Sequence, residues 1–166
     1  MKKFLWKIYR DFLNFYSNSK YKIKIFLCSV KTWISGFLMD KNPDYDKISK
    51  CAKLIVCAHP DDETIFFFSV LQKDAYVICL SNCGEKTRRS EFFRALDSIG
   101  TYGAMFNAPD IKNAQWMWSK FFLQRRFKKI KDVLREDCEI YTHSTAGESG
   151  HPHHYATGKF VSSYFR

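Results

Sequence analysis

Residues 53–63 read KLIVCAHPDDE: after Lys53 comes an apolar run of mostly branched chains, then a histidine, a proline and three carboxylates. A short, unbroken apolar run bounded by a turn is the mark of a strand covered on both faces, as in a parallel sheet. The stretches AYVICLS at 75–81 and CEIYTH at 138–143 repeat that pattern. Between them lie segments of helical period. Residues 87–99 (TRRSEFFRALDSI) place Phe92, Leu96 and Ile99 on one face ahead of Gly100, a natural helix C-cap. Residues 113–136 offer Trp116, Phe127, Ile130 and Leu134 among Arg and Lys, the pattern of a long amphipathic helix with a solvated basic face. Strands alternating with helices predict an α/β fold, a three-layer αβα arrangement around an open, mostly parallel sheet.

The rest of the 166 residues sorts around that frame. An aromatic content of 17% with only 7 Gly and 4 Pro excludes a disordered chain. The net charge of +10 is lopsided, because residues 1–53 carry 12 Lys/Arg against 4 Asp/Glu. Residues 4–16 (FLWKIYRDFLNFY) form a basic amphipathic helical pattern, and residues 22–39 a second apolar element interrupted by Lys22, Lys24 and Lys31. Its runs are far below the roughly 18 residues that span a bilayer. Such helices either pack on the domain with a solvated Lys face or dock on anionic lipid at a membrane surface, peripheral contact through residues 1–40. The polar stretch 40–50 reads as a linker. Residues 1–50 are thus expected to be a basic helical extension and linker, and residues 51–166 the domain proper. The charge comes with no nucleic-acid-binding signature, so no nucleic acid is expected as a partner. Six cysteines without a C-x-x-C pair suggest reduced, mostly buried thiols, and Lys7 and Arg10 break any secretory signal; a cytoplasmic location is expected.

In a parallel sheet, ligands bind at the carboxyl ends of the strands. The turn after the first strand lacks glycines, which excludes the dinucleotide and P-loop fingerprints. It carries His59-Pro60-Asp61-Asp62-Glu63 instead, and the turn after the last strand carries His151-Pro152-His153-His154. Alone, Asp61, Asp62 and Glu63 could merely cap a helix. Both turns, however, share the spacing His-Pro-x-ligand. Proline holds the preceding His extended and starts a helix at its first position, so the fourth residue faces the same side as the His. Four of the chain's five histidines lie in these two loops. Two His and one Asp meet the ligand count of a catalytic zinc site with one open position, leaving a spare carboxylate to activate water and a spare imidazole to steady an oxyanion or protonate a leaving amine.

Ala58-His59-Pro60-Asp61-Asp62-Glu63 resembles the AHPDDE signature of the PIG-L/LmbE-like family of zinc-dependent N-acetylglucosaminyl deacetylases. The resemblance continues through Leu80-Ser81-Asn82 and Gly84, through Arg88-x-x-Glu91-x-x-x-Ala95-x-x-x-Ile99-Gly100, and ends with Thr142-His143, Gly147-Glu148 and Gly150-His151-Pro152-x-His154. It covers about residues 53–160 and implies a Rossmann-like fold. It also implies that His59, Asp62 and His154 bind one Zn2+ (or another divalent metal), that Asp61 is the general base, and that His151 is the electrostatic or general-acid partner. Arg88 and Asn82 stand where substrate contacts are expected; His153 stands where the family commonly has Asp and is assigned to substrate binding as a hydrogen-bonding group. The implied reaction is hydrolysis of the N-acetyl group of an N-acetylglucosamine-type sugar or glycoconjugate, with the basic N-terminal third suggesting a phosphate- or lipid-linked acceptor at the inner face of a membrane. The alternative is a weakened member that binds a glycan or partner without hydrolysis.

Overall fold

The computed structural model describes residues 42–108, 110 and 120–166. Among the described residues four strands, β1 (Lys53–Cys57), β2 (Ala75–Ser81), β3 (Tyr102–Ala108) and β4 (Glu139–Thr142), form one sheet in the order β3-β2-β1-β4. Every pairing is parallel. The described helices are α1 (Tyr45–Ile48), α2 (Asp62–Ile65), α3 (Lys86–Ile99), α4 (Lys120–Val133) and α5 (Pro152–Tyr164), with a 3-10 turn at Glu148–Gly150.

Strand side chains alternate between two cores. Leu54, Val56, Tyr76, Ile78, Leu80, Ala104 and Phe106 face a core closed by Ile48 of α1, by Leu123, Phe127 and Ile130 of α4, and by Phe160 and Val161 of α5. Ile55, Cys57, Val77, Cys79 and Met105 face the other side, closed by Phe92 and Leu96 of α3 and by Phe67 and Leu71. Burial on both faces explains why these strands read as continuous apolar runs. The fold is the expected three-layer, Rossmann-like αβα sandwich, with all four strands parallel. Phe127 anchors the first core through edge-on contacts with Phe106, Phe160 and Phe165, with ring centroids 5.4–6.0 Å apart.

Two local features depart from the sequence reading. The 40–50 stretch, read as linker, contains α1, capped by the Asp44 carboxylate on Lys47 N–H, and its Ile48 is fully buried. Strand β3 escaped the pattern because Gly103 and Ala104 are poor strand formers. Gly103 is required there: a Cβ would sit 2.5 Å from Leu96 Cδ1 and 2.7 Å from the Val77 carbonyl oxygen, so its absence lets α3 lie close on the sheet. The long helix read over 113–136 is described as Lys120–Val133; Trp116 and the first part of that reading lie outside the described residues, as do the two elements read within 1–40. Gly100 caps α3 in the left-handed region, as its spacing suggests.

The order β3-β2-β1-β4 reverses direction between β1 and β4. At that switch point the loops after the two strands diverge to opposite faces and leave a crevice at their carboxyl ends. Both His-Pro loops open there.

Candidate metal centre

The first wall of the crevice is the turn after β1. His59 N–H donates to Asp62 Oδ2 at 2.7 Å, closing the loop on itself. Helix α2 begins at Asp62, two residues later than a proline-started helix would, because Asp61 takes the N-cap position with φ 102°. A non-glycine residue in that region carries about 1–3 kcal/mol of strain and persists only where its surroundings hold it. Two groups do so. Glu63, itself buried, accepts the Asp61 N–H at 3.0 Å. Arg88 of α3 donates to the Pro60 carbonyl and to Asp61 Oδ2, the latter at 3.1 Å, while its other terminal nitrogen reaches Glu91 at 3.4 Å. Burial pushes the Glu63 carboxyl up to about 7, opposed in part by the N–H donors around it.

The second wall is the turn after β4. His143 is buried, and its Nε2 lies 3.1 Å from the Ala58 N–H that donates to it and 3.2 Å from Asp62 Oδ2. Its Nδ1 pairs with Glu148 at 2.7 Å. Burial works against the charge of Glu148, but the Ser144 N–H and His143 outweigh it and lower its pKa. Beyond the 3-10 turn, His151 caps α5, and Pro152 follows at the first helical position, as expected. The His153 N–H donates to His151 Nδ1 at 3.3 Å.

Asp62 sits where the walls meet. One of its oxygens is 3.4 Å from His59 Nδ1 and the other 3.3 Å from His154 Nε2, and the residue is only 3% exposed. Burial opposes its ionisation, yet His143 and His59 overcome that and hold its pKa far below the usual carboxylate range. The His151 ring lies 4.7 Å from that of His59 and 4.8 Å from that of His154. His154 stacks flat on His143 at 4.1 Å and meets the edge of Phe66 at 5.4 Å. Ligand atoms of His59, His151 and His154 lie within 4.8 Å of one another, as do those of Asp62, His143 and His154. His154 Nδ1 is buried with no hydrogen-bond partner among the described residues. A buried, ionised carboxylate among imidazoles, one with an unsatisfied ring nitrogen, is a donor set of the type zinc takes, so the residues present fit the metal that the resemblance implies.

The remaining expected residues fall close by, in unequal settings. His59, Asp62, His151 and His154 converge. Asp61 lies at the rim, its side chain 50% exposed and paired with Arg88. Arg88 is thereby occupied with the loop that carries Asp61. Asn82 adopts a left-handed φ of 62° and donates from Nδ2 to Glu85 and to Asp110, each at 3.4 Å. His153, read as a substrate contact, is fully buried, with Nδ1 3.0 Å from His59 Nε2 and 3.3 Å from Asp110 Oδ1. Two participants were missed. His143 was read as the end of the 138–143 strand and as part of the family resemblance but given no role, although its position at a strand end was a signal. Asp110 also approaches His59 Nε2 at 3.5 Å, and together with Asp62 it drives the His59 pKa up to about 9 against the opposing effect of burial. In return His153 and His59 hold Asp110 far below the usual carboxylate range.

The GlcNAc-PI de-N-acetylase family model, PIG-L, matches residues 54–165, from β1 through the end of α5. The chain belongs to the PIG-L family. It therefore joins a family of deacetylase-type hydrolases, and the matched span contains every residue of the centre. An uncharacterized protein of Acanthamoeba polyphaga mimivirus is 27% identical over 132 residues, covering 68% of this chain and 57% of that protein. The chain thus spans little more than half the length of that relative. No solved structure matches.

Proposed function

We propose that this chain is a metal-dependent N-deacetylase that hydrolyses the acetamide of an N-acetylglucosamine-type sugar or glycoconjugate. The observation that carries the reading is the carboxylate of Asp62, buried and ionised at the switch point between two histidines contributed by opposite loops. His59, Asp62 and His154 would hold a single zinc, with His143 and Glu148 fixing Asp62 and the loop from behind. A bound zinc supplies Lewis acidity toward a carbonyl and an acidified water.

The side chains around it divide the remaining work. Asp61 is exposed enough to meet substrate and water, and the Arg88 ion pair and Glu63 acceptor keep its strained backbone from relaxing. It is the base that takes a proton from the attacking water. His151 is held neutral by burial first and then by repulsion from His59, His154 and His153. Because its Nδ1 accepts the His153 N–H, the neutral ring carries its proton on Nε2. That N–H is available to steady charge developing on the amide oxygen or to meet the departing amine. Arg88, Asn82 and His153 act by holding Asp61, Asp110 and His59 in place.

A phosphate- or lipid-linked acceptor is the substrate that the basic residues 1–40 best suit, handled by a chain docked peripherally on anionic lipid and facing the cytoplasm. No helix among the described residues is long and apolar enough to cross a membrane. Deleting residues 1–40 should lower recovery on anionic vesicles and turnover of lipid-linked sugar; a deletion that changes neither removes the membrane part. The chemistry is tested by acetate release from a panel of N-acetylglucosamine conjugates. Wild type should release acetate, and Asp61→Ala should lose about 100-fold or more while retaining metal. Equal rates would overturn the role of Asp61, and zinc binding without acetate release in wild type would favour a binding function over hydrolysis.

A further inference from the structure

The end of the sheet remote from the His-Pro loops holds a pair of thiols that the proposed chemistry does not use. Cys51 lies in the turn between α1 and β1, and Cys138 in the turn between α4 and β4, 87 positions away. β1 and β4 pair directly, with Lys53 opposite Glu139. The Glu139 N–H donates to the Ala52 carbonyl at 2.9 Å, so the main chains are pinned together beside both cysteines. Their sulfurs face each other at 3.9 Å, about van der Waals contact.

We propose that Cys51 and Cys138 form a redox modification site, a dithiol that a hydroperoxide converts to a reversible intramolecular disulfide. Neighbouring strands run about 4.8 Å apart, within the Cα separation that a disulfide spans. Because both residues lie in turns outside the hydrogen-bonded ladder, closing the sulfur gap needs side-chain rotation and no break in the sheet. The two cysteines also differ in the way a stepwise oxidation requires. Cys138 is partly exposed and Cys51 is 5% exposed, with the Ile48 carbonyl 3.1 Å from its S–H. The contact with Cys51 lowers the pKa of the more exposed Cys138, while Cys51 itself is pushed up by the same contact and by burial. Cys138 is therefore the attacking thiolate and Cys51 the resolving thiol.

The chemistry balances. Cys138 sulfur attacks the terminal peroxide oxygen, the O–O bond breaks, and the other oxygen departs after taking a proton, as water from hydrogen peroxide or as an alcohol from an organic hydroperoxide; Cys138 becomes a sulfenic acid. Cys51 then gives up its proton as its sulfur attacks that of Cys138, the S–OH bond breaks, and water leaves. Two thiols lose two electrons and two protons, and one hydroperoxide is reduced. Cys57 and Cys79 stand opposite each other in the β1–β2 register but are fully buried, so peroxide has no comparable access to them.

The test treats the full-length, reduced chain with hydrogen peroxide at neutral pH and maps peptides without reduction. The expected product is lighter by about two mass units, contains a Cys51–Cys138 crosslink, and reverts with dithiothreitol. Its thermal midpoint should rise by about 10 °C, since the crosslink closes a long loop. Cys51→Ser should leave Cys138 as a sulfenic acid that dimedone traps. Crosslinks through other cysteines, Cys138 passing to sulfinic acid without a crosslink in wild type, or no reaction at Cys138 would each overturn the assignment. None of these readouts depends on the deacetylase reading.

Discussion

Gly158, midway along α5, is the position where the centre should be most easily broken without touching a ligand. A Cβ there would lie 2.3 Å from the His143 carbonyl oxygen, 2.6 Å from the Ser144 oxygen and 2.8 Å from the Ser144 carbonyl carbon. Helix propensity alone predicts that Gly158→Ala stabilises the chain by about 1 kcal/mol. The obstacles are main-chain atoms that no rotamer change can move, so α5 must retreat by roughly 1 Å to restore ordinary contact. That retreat loosens Phe160 and Val161 in the core and shifts His154, one turn earlier on the same helix. Overpacking costs about 1–3 kcal/mol, and backbone obstacles place this case at the upper end, about 3 kcal/mol. The net expectation is a loss of about 2 kcal/mol, or roughly 4–8 °C in thermal midpoint for a domain of this size. Urea denaturation at unchanged m value measures it, with exposed Lys159→Ala on the same helix as the control. A Gly158→Ala chain as stable as wild type, with equal zinc content, would refute the close packing of α5 on the β4 turn.

His154→Ala should reduce bound zinc from about one per chain to near none, read by metal analysis of the purified chain. For the metal-free chain, the raised pKa of His59 contributes stability that is fully present below about pH 6.5. That contribution is lost as pH rises through about 9, and Asp110→Asn should flatten this dependence in pH-resolved denaturation. Zinc displaces the same proton, so calorimetry at pH 7.5 in buffers of different ionisation enthalpy should show about one proton released per metal bound; a buffer-independent heat would contradict a charged His59. Arg88→Gln should lower kcat more than it raises KM, because Arg88 grips Pro60 and Asp61. A pure KM effect would make it a substrate contact.

Much of this molecule was legible in the sequence, for reasons particular residues make plain. β1 and β2 are nearly apolar throughout because helices cover both their faces, β4 at the edge of the described sheet is only partly buried and mixes Ile140 with polar residues, and α3 shows a clean apolar stripe ending at Gly100. β3 hid because its close contact with α3 demands Gly103, which carries no strand signal. The convergence of His59, Asp62, His151 and His154 followed from two loops at neighbouring strand ends. What spacing could not supply was the partner of each side chain. Asp61 in a left-handed N-cap shifts the first helix start by two residues, so the two His-Pro loops are less alike than their spelling. His143 becomes significant only when β4 is laid beside β1. Asp110, at the end of an unrecognised strand, had no pattern to announce it.

The pairing of β1 with β4 also governs when the centre can exist. Asp62 meets His143 across 81 positions and His59 meets His153 across 94. Contacts of such high order form late in folding, after the entropy of closing a long loop has been overcome. A nascent chain would hold His59 and Asp62 early, yet it gains a chelating set only when α5 has emerged and docked. A metal would therefore find no preformed nest in a partial product and would bind the folded state alone, so its concentration would set how firmly the finished fold is held. Truncation before α5 should abolish chelation entirely rather than weaken it.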